Sequence, residues 1–235
     1  MVAFAGGLVG LVLGNIRLPV VLLASATPAA AAGANIGISG VAAATASVAH
    51  IRGGRVNWRL FAWMAPPSVA GALVGGVVSG ELPGNVLLAV IGLTLLYFGA
   101  DLLRTKHESL PAGKRDLDIR AAVIAGALIG LLGGLVGLIL GALRMPALLK
   151  YVGETPARAV GTNMTVGVCV GVAGLIGHLA GGVDWTVFWI GAAASIPGAL
   201  LGARLTGRLE PAQLMRAIAV VLLVSGAATL VQAVV

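Results

Sequence analysis

The sequence predicts an all-α integral membrane protein built as two inverted repeats, each a broken, re-entrant helix followed by three transmembrane helices. Composition, run length and an internal repeat predict it. Of the 235 residues, 59% are hydrophobic and only 10% charged, and the mean hydropathy is +1.05. That leaves too little polar side chain to cover the core of a soluble fold of this size. Apolar runs of about twenty residues, enough to cross a bilayer core of ~30 Å, recur along the whole chain.

The repeat is legible residue by residue. Gly6, Gly7, Gly10, Gly14, Arg17 and Pro19 recur at a constant offset as Gly133, Gly134, Gly137, Gly141, Arg144 and Pro146. One inserted residue later, Pro28, Gly33, Asn35 and His50 match Pro156, Gly161, Asn163 and His178. Gly54 matches Gly182 at that same offset, and after a compensating deletion Trp58, Gly71 and Gly75 match Trp185, Gly198 and Gly202. The modules are therefore residues 1–104 and 121–235. The charged stretch 105–120, with Pro111 and Gly113, is read as a cytoplasmic linker.

Taken in order, each module opens with a Gly-rich helix that breaks at Gly-x-x-Arg-x-Pro. A short half-helix follows, about Leu18 to Ser25 and Met145 to Tyr151. Pro19 and Pro146 are expected at its first turn, where an N–H has no helical partner to lose. Three long apolar segments come next: 29–50, 58–79 and 84–104 in the first module, then 156–177, 185–206 and 212–234 in the second. Trp58 and Trp185 are expected to anchor at the membrane interface. Pro66, Pro67 and Pro197 are expected to kink the spans that hold them. His50 and His178 close their helices and are read as interfacial caps. Gly6-xxx-Gly10-xxx-Gly14 and Gly133-xxx-Gly137-xxx-Gly141 read as small-residue packing faces, through which a homo-oligomer could also form.

The chain opens directly in an apolar stretch without a basic leader, so no removable signal peptide is expected. A single cysteine, Cys169, allows neither an intrachain disulfide nor a CxxC metal site. No metal or cofactor is expected. The net charge of +7 resides in short loops between spans, which points to membrane orientation and not to nucleic acid.

Those charges also bear on topology. If the broken helix enters and leaves on one side, Arg52, Arg55, Arg59, Arg104, Lys106, Lys114, Arg115, Arg120, Lys150, Arg158, Arg204, Arg208 and Arg216 share one face, the cytoplasmic one. The loops near Glu81 and Asp184 then carry none. If the broken helix spans instead, Lys150, Arg158, Arg204, Arg208 and Arg216 move outside, against the positive-inside tendency. The stretch from Ala121 to Leu140 is long enough to span, so both readings stand at this point. Three spans per module insert the copies upside down relative to each other.

Arg17 and Arg144 are left over, at the tips of the two breaks. An arginine at the centre of a spanning helix costs ~2.5–3.5 kcal/mol, and two facing each other at about 8 Å repel by roughly 2 kcal/mol at an effective dielectric near 20. All eight acids lie in loops or at segment ends, so an anion between the arginines is the expected remedy; the competing reading is that each arginine snorkels to an interface or binds nearby carbonyls. The planar fork of arginine suits a sulfonate, sulfite or carboxylate oxygen pair. Asn35, Asn163, Thr162, Thr165 and Ser39 lie near the same depth as further candidate ligands, with Asn15 beside the first break; interhelical bonding is the competing role for them. Cys169 reads as a packing residue. No paired acids, metal cluster or nucleophile–base pair supports catalysis.

With these residues in place, the chain resembles the TauE/SafE family of sulfite exporters and related anion permeases. The shared features are two modules opening on a Gly-rich broken helix, and the Gly-x-Asn segments Gly33–Asn35 and Gly161–Asn163. The Val-Asn-Trp and Val-Asp-Trp entries at Trp58 and Trp185, and the stretches Gly71–Gly75 and Gly198–Gly202, fit as well. The resemblance implies export or import of sulfite, thiosulfate or a small organosulfonate such as sulfoacetate across the cell membrane. One departure stands out: where the family usually has a glycine triplet before the proline, this chain has Gly14-Asn15-Ile16-Arg17 and Gly141-Ala142-Leu143-Arg144. The expected function is a transporter with Arg17 and Arg144 as central anion ligands. The alternative is a passive anion channel with an hourglass constriction.

Overall fold

Helix boundaries follow from a few local signals. Pro28 and Pro156 open their helices in the first turn, where the missing N–H is harmless. Thr27, Asn57 and Asp184 each accept a backbone N–H three residues on, from Ala30, Leu60 and Val187. The computed structural model describes residues 1–77, 84–104, 117–136, 138–179 and 182–234, and all regular structure among them is helical. The first module forms α1 (Val2–Val9), α2 (Gly14–Ala24), α3 (Pro28–Arg52), α4 (Trp58–Val77) and α5 (Gly84–Arg104). The second forms α6 (Ile119–Val136), α7 (Gly141–Pro146), α8 (Pro156–His178), α9 (Trp185–Thr206) and α10 (Pro211–Val234), with α7 running into a π-helical stretch Ala147–Val152. Helices α3, α5, α8, α9 and α10 are each long and apolar enough to cross a membrane. The loop at Glu81 and the linker over 105–116 lie outside the described residues.

The breaks fall earlier than the prolines suggest, and this corrects the expected half-helices. Helix α1 ends at Val9, and Gly10 takes the left-handed conformation (φ 72°) that glycine adopts without strain. The Leu11 N–H then donates back to the Gly6 carbonyl at 3.0 Å. The second module repeats this turn, Leu138 N–H to Gly133 carbonyl at 2.9 Å. A Cβ on Gly6 would sit 2.5 Å from the Leu11 oxygen, and one on Gly133 2.7 Å from the Leu138 oxygen. The glycines therefore set the break, not the prolines. Arg17 and Arg144 fall within the first turn of α2 and α7, and Pro19 and Pro146 lie inside those helices. Pro19 cannot donate to the Asn15 carbonyl, and the Gln232 amide of α10 donates to it instead at 2.7 Å.

The expected glycine face Gly6–Gly10–Gly14 is consequently split between two helices; Gly137 of its counterpart lies outside the described residues. Close packing uses other glycines. Gly71 and Gly75 of α4 rest on α6 backbone at Ala127 and Leu131, while Gly198 and Gly202 of α9 rest on α1 backbone at Phe4. The partnership α4–α6 is thus matched by α9–α1 with the modules exchanged. Helices α3 and α8 cross at the centre, with Gly40 against Gly171, and α5 pairs with α10 on the outside. These small-residue faces are occupied within the chain.

Contacts between loops show which segments share an end of the bundle. The Asp118 N–H, just before α6, donates to the Val152 carbonyl at 3.2 Å, so α6 begins where the returning π stretch finishes. Lys150 pairs with Asp101 at that end. Arg55 donates to the Ala203 carbonyl at 3.0 Å and lies against Gly161, which adds the ends of α3, α8 and α9. At the other end, Asp184 N–H bonds the Ala30 carbonyl at 3.2 Å.

Candidate functional site

The two breaks meet in the interior. Gly141, which opens α7, packs against the Val12 backbone in the first break. Asn163 of α8 ties the breaks together: its amide nitrogen donates to the Gly10 carbonyl at 2.6 Å and the Gly141 carbonyl at 2.8 Å. In the first module Asn35 likewise donates to the Gly14 carbonyl at 3.1 Å. Each asparagine then turns its side-chain oxygen to the arginine of its own module. Arg17 Nε reaches Asn35 Oδ1 at 3.0 Å, and Arg144 Nη1 reaches Asn163 Oδ1 at 3.1 Å. The asparagine carboxamide has both a donor and an acceptor end, so one residue can hold a broken helix open and aim its arginine.

Beyond that shared plan the arginines differ. Arg17, partly exposed, is fully engaged along one edge: Nη2 donates to the Asn35 carbonyl at 3.0 Å and to Ser39 Oγ at 2.6 Å, beside the Nε bond to Asn35. Arg144 is 0% exposed, yet its Nε and Nη2 have no partner. Among the described residues no carboxylate lies within ion-pair distance of either arginine. A buried donor left without a partner costs ~1–3 kcal/mol, more when charged. Arg144 therefore holds an uncompensated charge and two unused donors in the middle of the protein. A cavity of about 20 Å³ touches Arg17 and Ser39, room for about one water.

The remaining expected ligands are engaged elsewhere. Asn15 points to α10 and donates to Ser225 Oγ at 2.7 Å and Thr229 Oγ1 at 2.8 Å. Thr162 Oγ1 accepts the Asn57 N–H at 2.9 Å, and Thr165 Oγ1 donates to the Gly161 carbonyl at 2.9 Å. Asn35, Ser39 and Asn163 do gather at the arginines, as partners of the guanidinium groups.

His50 is not an interfacial cap. It is fully buried, with Nε2 3.3 Å from the Gly7 carbonyl and Nδ1 3.0 Å from Arg55 Nε. Arginine can only donate, so Nδ1 accepts and Nε2 carries the proton. Arg55 also donates to the Ala49 and Ala203 carbonyls, clamping α3 to α9, and burial lowers its pKa from the ordinary arginine value. Sequence reasoning missed this clamp, and also the buried Glu154, whose Oε2 accepts from Asn57 Nδ2. A signal for the clamp was present. Between Gly54 and Trp58 the first module has one residue more than the second has between Gly182 and Trp185, and that extra length holds Arg55. His178 is half-buried and bonded within its own helix, Nδ1 to the Gly174 carbonyl at 2.9 Å.

Membrane-length helices around a pair of broken ones, with a guanidinium group at each break, define a multi-pass membrane protein with a polar centre. The family described as sulfite exporter TauE/SafE matches residues 1–229, and the chain belongs to that family of membrane transporters. Among curated relatives, it is 28% identical over 203 residues to the probable membrane transporter protein YtnM of Bacillus subtilis (strain 168), covering 84% of this chain and 67% of that one. It is 26% identical over 244 residues to the probable membrane transporter protein YjnA of the same organism, covering 95% of this chain and 94% of that one. No solved structure matches the chain.

Proposed function

We propose that the protein carries a small sulfur-containing oxyanion, sulfite, thiosulfate or an organosulfonate such as sulfoacetate, across the cell membrane, with Arg17 and Arg144 as its ligands at the paired breaks. The observation that carries this reading is Arg144: a fully buried guanidinium with two unpartnered N–H donors. Charges inside a membrane protein are costly and are kept where they serve a substrate path. The family's description supplies the sulfur chemistry.

The bond from Asp118 to Val152 supports a re-entrant second broken helix, since it brings both ends of that helix to one end of the bundle. The matched partnerships α4–α6 and α9–α1 support two modules of one plan, inserted in opposite senses. Arg55, Lys150 and the end of α9 gather at one end, which the positive-inside tendency assigns to the cytoplasm.

Flux into proteoliposomes, measured across sulfite, thiosulfate, sulfoacetate, sulfate and chloride, tests the reading. A carrier should show saturable uptake of a sulfur oxyanion, accelerated by counter-substrate, with loss of at least tenfold in Arg17→Ala and Arg144→Ala. Normal transport by both variants would sink the arginine site; flux linear in concentration would point to the channel.

A further inference from the structure

Resting on that two-arginine reading, we infer that the arginines are unequal ligands: the anion docks side-on to the Nε–Nη2 edge of Arg144, while Arg17, whose own edge the protein already fills, supplies positive charge. In a planar guanidinium, Nε–H and Nη2–H point the same way and form the fork that takes two oxygens of one anion. In Arg17 this is the edge that Asn35 and Ser39 occupy. In Arg144 the same edge has no partner, because Asn163 takes Nη1 instead.

The sequence explains the difference. The offset that pairs Asn35 with Asn163 pairs Ser39 with Gly167. The hydroxyl that completes the shell of Arg17 therefore has no counterpart one turn beyond Asn163, in the module whose arginine is the more deeply buried. The ligand class follows from the geometry: an anion presenting two oxygens about as far apart as the two N–H groups, as sulfite, a sulfonate or a carboxylate does. A spherical halide engages the fork less well. Gly167 can accept a side chain with little movement, since a Cβ there would lie 3.3 Å from Val12 Cγ2 and 3.6 Å from Ala43 Cβ.

The test restores the missing hydroxyl. Equilibrium binding of radiolabelled sulfite to the purified full chain is compared for the parent, Gly167→Ser, Gly167→Ala, Arg144→Lys, Arg17→Lys and Ser39→Ala, with thermal unfolding of each recorded. Gly167→Ser should weaken sulfite binding at least tenfold, and Gly167→Ala, which adds the carbon without the acceptor, less than threefold. Arg144→Lys keeps the charge but loses the fork, and should weaken binding at least tenfold. Arg17→Lys and Ser39→Ala should lower the unfolding temperature more than they lower affinity. Equal effects of Gly167→Ser and Gly167→Ala would overturn the assignment. So would equal loss of affinity in Arg17→Lys and Arg144→Lys, which leaves the two-arginine site standing. Sulfite binding that ignores both lysine variants would remove the site itself.

Discussion

Two helix pairs sit in the same membrane under opposite rules. At the centre, α3 crosses α8, and both are mostly buried; at the rim, α5 pairs with α10, and both leave most of their surface outward. The central pair carries Asn35, Ser39, Thr162, Asn163 and Thr165, all buried. The rim pair presents Val86, Val90, Leu93, Tyr97, Val220, Val224 and Val231 to its surroundings. Lipid tails are as apolar as leucine, so burying a leucine between membrane helices gains little; close packing and polar bonds hold such helices together. The difference teaches that apolar content marks the outside of this protein, while its structure is held by the few polar residues at the centre.

The sharpest way to break that contrast is Asn163→Leu, which keeps the side chain's approximate size and removes its polarity. It leaves the Gly10 and Gly141 carbonyls and Arg144 Nη1 without their partner. At ~0.6–1.7 kcal/mol per interhelical bond, the expected loss is about 2–5 kcal/mol, read as reduced thermal stability in detergent together with lost sulfite binding. Retention of parental stability would mean that the breaks are held by packing alone.

A smaller effect is expected from Gly171→Ala. The added carbon would come within 2.8 Å of Gly40 Cα, backbone against backbone, so α3 and α8 must separate slightly. Overpacking of this kind costs ~1–3 kcal/mol. The measurement is the same unfolding temperature, with an alanine at the rim as reference; a stability gain would show that the crossing has slack.

Much of this was legible in the sequence because glycine, proline and arginine report on backbone and charge directly. The repeat, the helix order and the place of Arg17 and Arg144 beside the two breaks came from such residues. The position of the break was not legible. It depends on Leu11 bonding back to Gly6 and Leu138 to Gly133, turns in which proline takes no part. The burial of His50 was hidden because a histidine at a helix end normally reaches solvent, and only the extra residue in the loop that holds Arg55 hinted otherwise. The inequality of the arginines was written in the pairing of Ser39 with Gly167. It acquires meaning only once the guanidinium edges are seen, since a missing hydroxyl matters where a charged donor waits for it.

The smallest effect should come from Leu93→Ala on the rim. Leu93 is 59% exposed, next to Gly92, which packs on Leu230 and Gly226 of α10, so the leucine is turned away from its partner helix. In water such a truncation would be neutral because the residue gains nothing by folding. In the bilayer it is neutral for a different reason: the side chain exchanges lipid contacts for lipid contacts, folded or not. The expected change is within about 0.5 kcal/mol, with sulfite binding unaltered. A loss above 2 kcal/mol in detergent would mean that this face is covered by protein and not by lipid, and would move the boundary between centre and rim outward past α5.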